Sequence, residues 1–189
     1  MSFTIKNGKG TGGYAAEVDA NNDLHTLATI VTENHQINRR DGLSFFTYAD
    51  ITPTGAGSTF LYIQNNSSNK EMVVDWYRLW TAAGAPEGVD VYVGATGTPT
   101  GGAALVPVNR NLTSGKAADG TFLESVALGG LTGGVLFDRL RIGGGDDVVD
   151  EFRGGIILGQ NDVLEFRAVA GAIPLEMTIA FYFEEPYAS

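Results

Sequence analysis

The stretch Glu176-Met177-Thr178-Ile179-Ala180-Phe181-Tyr182-Phe183-Glu184 decides the fold class. Met177, Ile179, Phe181 and Phe183 fall on one parity, and the remaining five residues on the other. That period of two is the signature of a half-buried strand. Just upstream, Leu164, Phe166 and Ala168 alternate with Glu165 and Arg167, and Gly159-Gln160-Asn161-Asp162 separates them from the apolar run 155–158. Those four residues read as a tight turn joining two antiparallel strands.

The same grammar recurs toward the N-terminus. Val89, Val91 and Val93 alternate with Asp90 and Tyr92; strands are expected over 59–64 and 72–80, divided by the polar loop Asn65-Asn66-Ser67-Ser68-Asn69. The run 72–80 contains Trp76, Tyr77 and Trp80 with apolar residues on both parities, which predicts a central strand covered on both faces, its rings in the core. Glycine pairs bracket two further strands at 122–128 and 135–142. Asn21-Asn22-Asp23 marks a turn before a β-branched strand over 24–31, and Arg39-Arg40-Asp41-Gly42 another before Phe45, Phe46 and Tyr48. The small, glycine-rich residues 94–104 read as a long surface loop, and 146–152 as one helical turn at most.

About ten strands without intervening helices point to an all-β fold, an antiparallel β-sandwich of jelly-roll type. Residues 1–20 stand apart, with Gly8, Gly10, Gly12 and Gly13 among the single apolar residues Phe3, Ile5, Tyr14 and Val18. They read as an extended N-terminal arm, and 21–189 as a single sandwich domain.

Composition narrows the function classes. A 189-residue chain suits one domain that buries roughly 70% of the surface its unfolded form exposes. Hydrophobic residues make up 43% and charged residues 18%, a globular balance, and no run approaches the roughly 20 apolar residues that span a bilayer. The opening Met1-Ser2-Phe3-Thr4-Ile5-Lys6 lacks the basic and apolar regions of a signal peptide, so synthesis in a cytoplasm is expected. The chain has no cysteine, which excludes disulfides, thiolate zinc sites and cysteine nucleophiles. Twelve Lys plus Arg stand against 22 Asp plus Glu, for a formal charge of −10. The basic residues are scattered, which disfavours nucleic acid, because phosphate contacts need a positive footprint.

Candidate chemistry is sparse. Asp146, Asp147, Asp150 and Glu151 could offer oxygen ligands to calcium, but their spacing is not that of an EF-hand, and a solvated acidic loop is the preferred reading. No carboxylate pair is marked out for glycoside hydrolysis. His25 and His35 accompany neither a nucleophile elbow nor a metal-binding helix spacing. The glycine stretches lack the Lys-Ser or Lys-Thr ending of a Walker motif. Trp76, Tyr77 and Trp80 could stack on a sugar as in carbohydrate-binding modules, although burial is preferred. Asn65, Asn66 and Asn111 fit the glycosylation sequon, which matters only in a secretory pathway. The expectation is a non-enzymatic protein with no metal and no cofactor.

One resemblance sharpens this. The segment Tyr14-Ala15-Ala16-Glu17-Val18-Asp19-Ala20-Asn21-Asn22-Asp23-Leu24-His25-Thr26-Leu27-Ala28, continuing through Thr32-Glu33-Asn34-His35 and Arg39-Arg40-Asp41-Gly42, resembles the opening of tailed-bacteriophage virion structural proteins. In those proteins a glycine-containing arm, a Val-Asp turn and a Leu-x-Thr strand precede a β-sandwich. The ending, Gly155 to Asp162, then Leu164 to Ala168 and a final aromatic strand to Glu185, is similar to their last hairpin. The two ends cover about half the chain. The resemblance implies a head decoration, cement or head-fibre protein on the capsid exterior of the virion. Its partners would be the major capsid protein and further copies of itself, as a homotrimer or other homo-oligomer. Phe3, Ile5 and Tyr14 are then the candidate contact residues, anchoring the arm to the shell, against the alternative of a strap over the chain's own domain. Two rival expectations stand beside it, a tail or adaptor component and a carbohydrate-binding module.

Overall fold

The computed structural model describes residues 3–6, 13–18, 24–25, 33–81 and 87–186, with side chains from residue 37 onward except those at 150, 153 and 154. The chain divides into two compact units, Met1–Thr32 and Glu33–Ser189. The first holds a three-stranded antiparallel sheet of β1 (Phe3–Lys6), β2 (Gly13–Val18) and β3 (Leu24–His25), in that order. Where the sequence suggests a single extended arm over 1–20, the chain doubles back on itself, and the boundary between units falls at 32/33.

The second unit is an antiparallel β-sandwich. It opens with α1 (Glu33–Arg40), followed by β4 (Ser44–Ile51), β5 (Thr59–Asn65), β6 (Glu71–Thr81) and β7 (Glu87–Thr100). Two short strands, β8 (Ala103–Ala104) and β9 (Val108–Asn109), lead into β10 (Gly120–Ile142), β11 (Asp147–Leu158), β12 (Val163–Ala168) and β13 (Leu175–Glu184). One sheet runs β5-β12-β7-β10-β8, the other β11-β6-β13-β4-β9. The first half of β10 pairs with β5 and its second half with β7, so this strand joins opposite sides of its sheet and rolls it.

The core lies between the sheets and follows the parity read from β13. Met177, Ile179 and Phe181 are fully buried and Phe183 nearly so. Phe181 stacks on Phe122 of the facing sheet at 5.1 Å and on Phe45 of β4 at 5.7 Å, with Phe183 edge-on to Phe181. These offset arrangements suit the ring quadrupoles and tie the two layers together.

Four local readings are corrected. Residues 94–100 continue β7 instead of forming a loop, because their ladder with β10 holds a stretch of low intrinsic strand propensity. A Cβ at Gly97 would lie 2.3 Å from the Gly130 carbonyl oxygen, and one at Gly130 2.2 Å from that of Thr98; glycine at both places permits this close approach. Residues 120–142 form one strand in place of two, and 147–152 belong to a strand, β11, with no helical turn. Gly159-Gln160-Asn161-Asp162 does turn tightly, with Asp162 N donating to the Gly159 carbonyl and Gly159 N to the Asp162 carboxylate. It nevertheless carries the chain from one sheet to the other, since β11 pairs with β6 while β12 pairs with β5 and β7.

Helix α1 takes in Arg39 and Arg40, so of the expected Arg-Arg-Asp-Gly turn only Asp41 and Gly42 lie outside it. Its last turn carries Arg39 and Arg40, which complement the dipole, and Gly42 closes it at φ 60° with its amide donating to the Ile37 carbonyl. Ile37 packs on Val73 and Tyr182, so the helix covers one end of the outer face of the second sheet.

Candidate functional site

Strand register places Ile5 opposite Tyr14 and Phe3 opposite Ala16. The three candidate contact positions are thus brought together on one ladder; their side chains lie outside the described residues. His25 ends β3 and His35 lies on α1.

Of the acidic cluster only Asp146 lies in a turn; Asp147, Asp150 and Glu151 belong to β11. Asp147 begins β11 and accepts from Arg78, at 2.9 Å from Nε to Oδ1 and 2.7 Å from Nη2 to Oδ2. The guanidinium holds the Asp147 carboxyl below the usual carboxylate range. Among the described residues no group of three or more His, Asp or Glu side chains is placed to hold a metal ion.

The buried carboxylates are engaged elsewhere. Glu87 accepts from the amides of Gly88, Ala170 and Gly171 at 2.8–2.9 Å. Glu165, fully buried, accepts from Thr59 Oγ1 at 2.9 Å and Arg167 Nε at 3.1 Å, while Arg167 lies 3.9 Å above the Tyr92 ring. Asn65 is also fully buried. It donates to the carbonyls of Lys70 and Leu158 and accepts from Ser67 N, which makes it a structural hub and unavailable as a glycan acceptor in the folded state.

The expectation that all three rings of β6 are buried is corrected. Tyr77 is in the core, but Trp76 and Trp80 are half-buried on the opposite, outward face. The register of β6 shifts between Val74 and Trp76 against β13, so Asp75 is bulged and the parity of the strand changes there. This sets up two rows across the outer face. In one, Val149, Arg78, Thr178 and Tyr48 stand side by side; in the next, Asp147, Trp80, Glu176 and Asp50.

Between these rows lies a pocket of about 160 Å³ lined by Tyr48, Arg78, Trp80, Glu176 and Thr178. Tyr48 is 50% exposed. Its phenol is held above the ordinary tyrosine range, first by desolvation and then by the neighbouring Glu176 carboxylate. Trp76, in the adjoining row, instead packs edge-on against Phe46 at 5.7 Å, and Arg110 caps Phe46 at 4.9 Å.

A second surface feature belongs to the other sheet. Val135, Leu136 and Phe137 on β10 form an exposed apolar ridge. A register shift between Leu136 and Asp138 makes Phe137 the extra residue, and bulges of this kind re-aim a side chain. The Phe137 ring borders a groove of about 360 Å³ with Val93, Gly94, Ile157 and Val163.

No helix among the described residues is long and apolar enough to cross a membrane. Compared with known proteins, the chain matches no family model, no curated protein and no solved structure.

The sequence reading weighed Trp76, Tyr77 and Trp80 as sugar-stacking rings but preferred burial for all three, and it missed the other residues of the pocket and the ridge on β10. The parity of Trp76 and Trp80, opposite to that of Tyr77, is the one signal in the sequence that could have separated the rings. The ridge at Val135 could not be told from a core-facing strand without knowing which side of β10 is covered.

Proposed function

We propose that the protein is a non-enzymatic virion structural protein, a decoration or cement protein that binds the outer surface of a tailed-phage head as a homo-oligomer. The observation that carries this reading is the β10 ridge and its groove. Val135 is 69% exposed, and Phe137, 48% exposed, lines one groove with Ile157, 50% exposed; large apolar side chains grouped in solvent in this way favour burial against another protein. The ridge serves self-association. The first unit, with Phe3, Ile5 and Tyr14 on its paired strands, makes the contact with the major capsid protein. The resemblance of both chain ends to tailed-phage virion proteins supplies the setting. Many identical copies multiply a modest contact into stable attachment, and binding to the assembled shell alone stabilises it by mass action.

The deciding measurement is the copy number relative to the major shell protein, by quantitative mass spectrometry on particles purified from the source. Hundreds of copies per particle support a head decoration role. About a dozen or fewer would move the protein to a tail or adaptor position, and absence from the particle would overturn the virion reading.

A further inference from the structure

We propose that the pocket between Tyr48 and Trp80 binds one pyranose ring of a neutral glycan. This does not rest on the capsid reading, since the pocket lies on the outer face of the β4–β6–β13 sheet and the ridge belongs to the other sheet.

The geometry sets the ligand's shape. Tyr48 and Trp80 stand on β4 and β6, with β13 running between them and a two-residue offset along the strands, so their backbones are about 12 Å apart, two strand spacings across and two residues along. Thr178 and Glu176 form the floor. The volume of about 160 Å³ is below the roughly 300 Å³ at which sites for drug-sized ligands begin. It therefore takes a single ring of a longer molecule.

The chemistry sets the ligand's class. Two large rings flank a floor of hydroxyl and carboxylate, so the complementary molecule is apolar on one face and rich in hydroxyls at its rim. A pyranose has that character, its C–H face packing on an aromatic ring and its hydroxyls meeting fixed polar groups. Glu176 is an acceptor, Thr178 both donor and acceptor, and Arg78 spends only Nε and Nη2 on Asp147, keeping further N–H donors for a ligand. A protein partner pressed onto this face would instead bury Glu176 and Asp50 with no cation other than the engaged Arg78 in the two rows, a costly desolvation.

Charge sets the specificity. One arginine, Arg78, stands among Asp50, Asp147 and Glu176 in the two rows. The local field is negative and disfavours sialic or uronic acids. Trp76 and Phe46 do not compete for the sugar, because they pack on each other under Arg110.

The test is saturation-transfer NMR on the full chain with methyl glycosides of glucose, galactose, mannose and N-acetylglucosamine, and methyl glucuronide alongside. At least one neutral glycoside should receive saturation, concentrated on the C–H protons of one face. Tyr48→Ala should weaken that binding roughly tenfold. Its unfolding midpoint should match the parent's, because half of the ring is in solvent. Glu176→Gln, which preserves the shape of the floor, should also weaken it. Absence of saturation for all four neutral glycosides would overturn the proposal, as would binding that survives both substitutions or a preference for the glucuronide.

Discussion

At Glu87 one buried carboxylate accepts hydrogen bonds from three backbone amides, pinning the start of β7 to the 169–171 segment. Bonds to a charged acceptor are the stronger kind, and leaving buried donors unpaired costs about 1–3 kcal/mol each. Glu87→Ala should therefore destabilise the protein by about 3 kcal/mol or more, read as a shift in the urea midpoint at constant slope. A loss under about 0.5 kcal/mol would mean that water replaces the carboxylate. Asp147 is the contrasting case, since its pair with Arg78 is solvent-exposed and worth little at ordinary salt. Its folded pKa is depressed below the unfolded one, by the Arg78 hydrogen bond first. Whatever stability the pair contributes is thus present above the usual aspartate range near pH 4 and is lost as pH falls through the lower folded value. Asp147→Asn should accordingly melt slightly below the parent at neutral pH, with the gap closing below about pH 4. Thermal scans across that range, at low salt, check the sign.

The strands show how far sequence carries and where it stops. Alternation in β13 translated directly into burial, because one face of that strand meets the opposing sheet along its whole length. In 94–100 it failed, because Gly, Ala and Thr carry little strand signal and the ladder to β10 supplies what propensity lacks. The turn at Gly159 was legible as a reversal, yet turn chemistry does not say which sheet receives the next strand. The outer-face pocket was illegible for a related reason. Tyr48, Arg78, Trp80 and Glu176 come from three strands distant in sequence, and no local spacing connects them. The β7–β10 contact also makes a prediction that belongs to the element. Gly130→Ala would add a methyl 2.2 Å from the Thr98 carbonyl oxygen at φ 81°, whereas Gly57→Ala adds one into open space at φ 77°. Both incur left-handed strain of about 1–2 kcal/mol, but only Gly130→Ala must also push two strands apart. It should lose distinctly more stability than Gly57→Ala. Amide exchange should accelerate across 96–100 and 129–133, and equal losses in the two variants would refute a tight approach.

At the level of the molecule, the division at 32/33 separates two compact units. The residues that form the main core come from strands of both sheets within 33–189, and the Phe122–Phe181–Phe45 stack that ties the layers together lies wholly inside that unit. A unit that carries its own core should fold alone. A chain beginning at Glu33 is expected to unfold in one cooperative transition, close to the melting temperature of the full protein. If the first unit makes the shell contact, the same truncation should fail to bind capsid shells lacking the protein, and a deletion limited to 1–20 should fail as well, because it removes β1 and β2. Phe137→Glu should do the reverse, leaving the first unit intact but placing a charge on the ridge, so that light scattering reports a smaller oligomer. Truncated protein that stays folded and attaches undiminished would move the contact from the paired strands to the sandwich. A Phe137→Glu variant of unchanged mass would remove the ridge from self-association and leave it as a second contact with the shell.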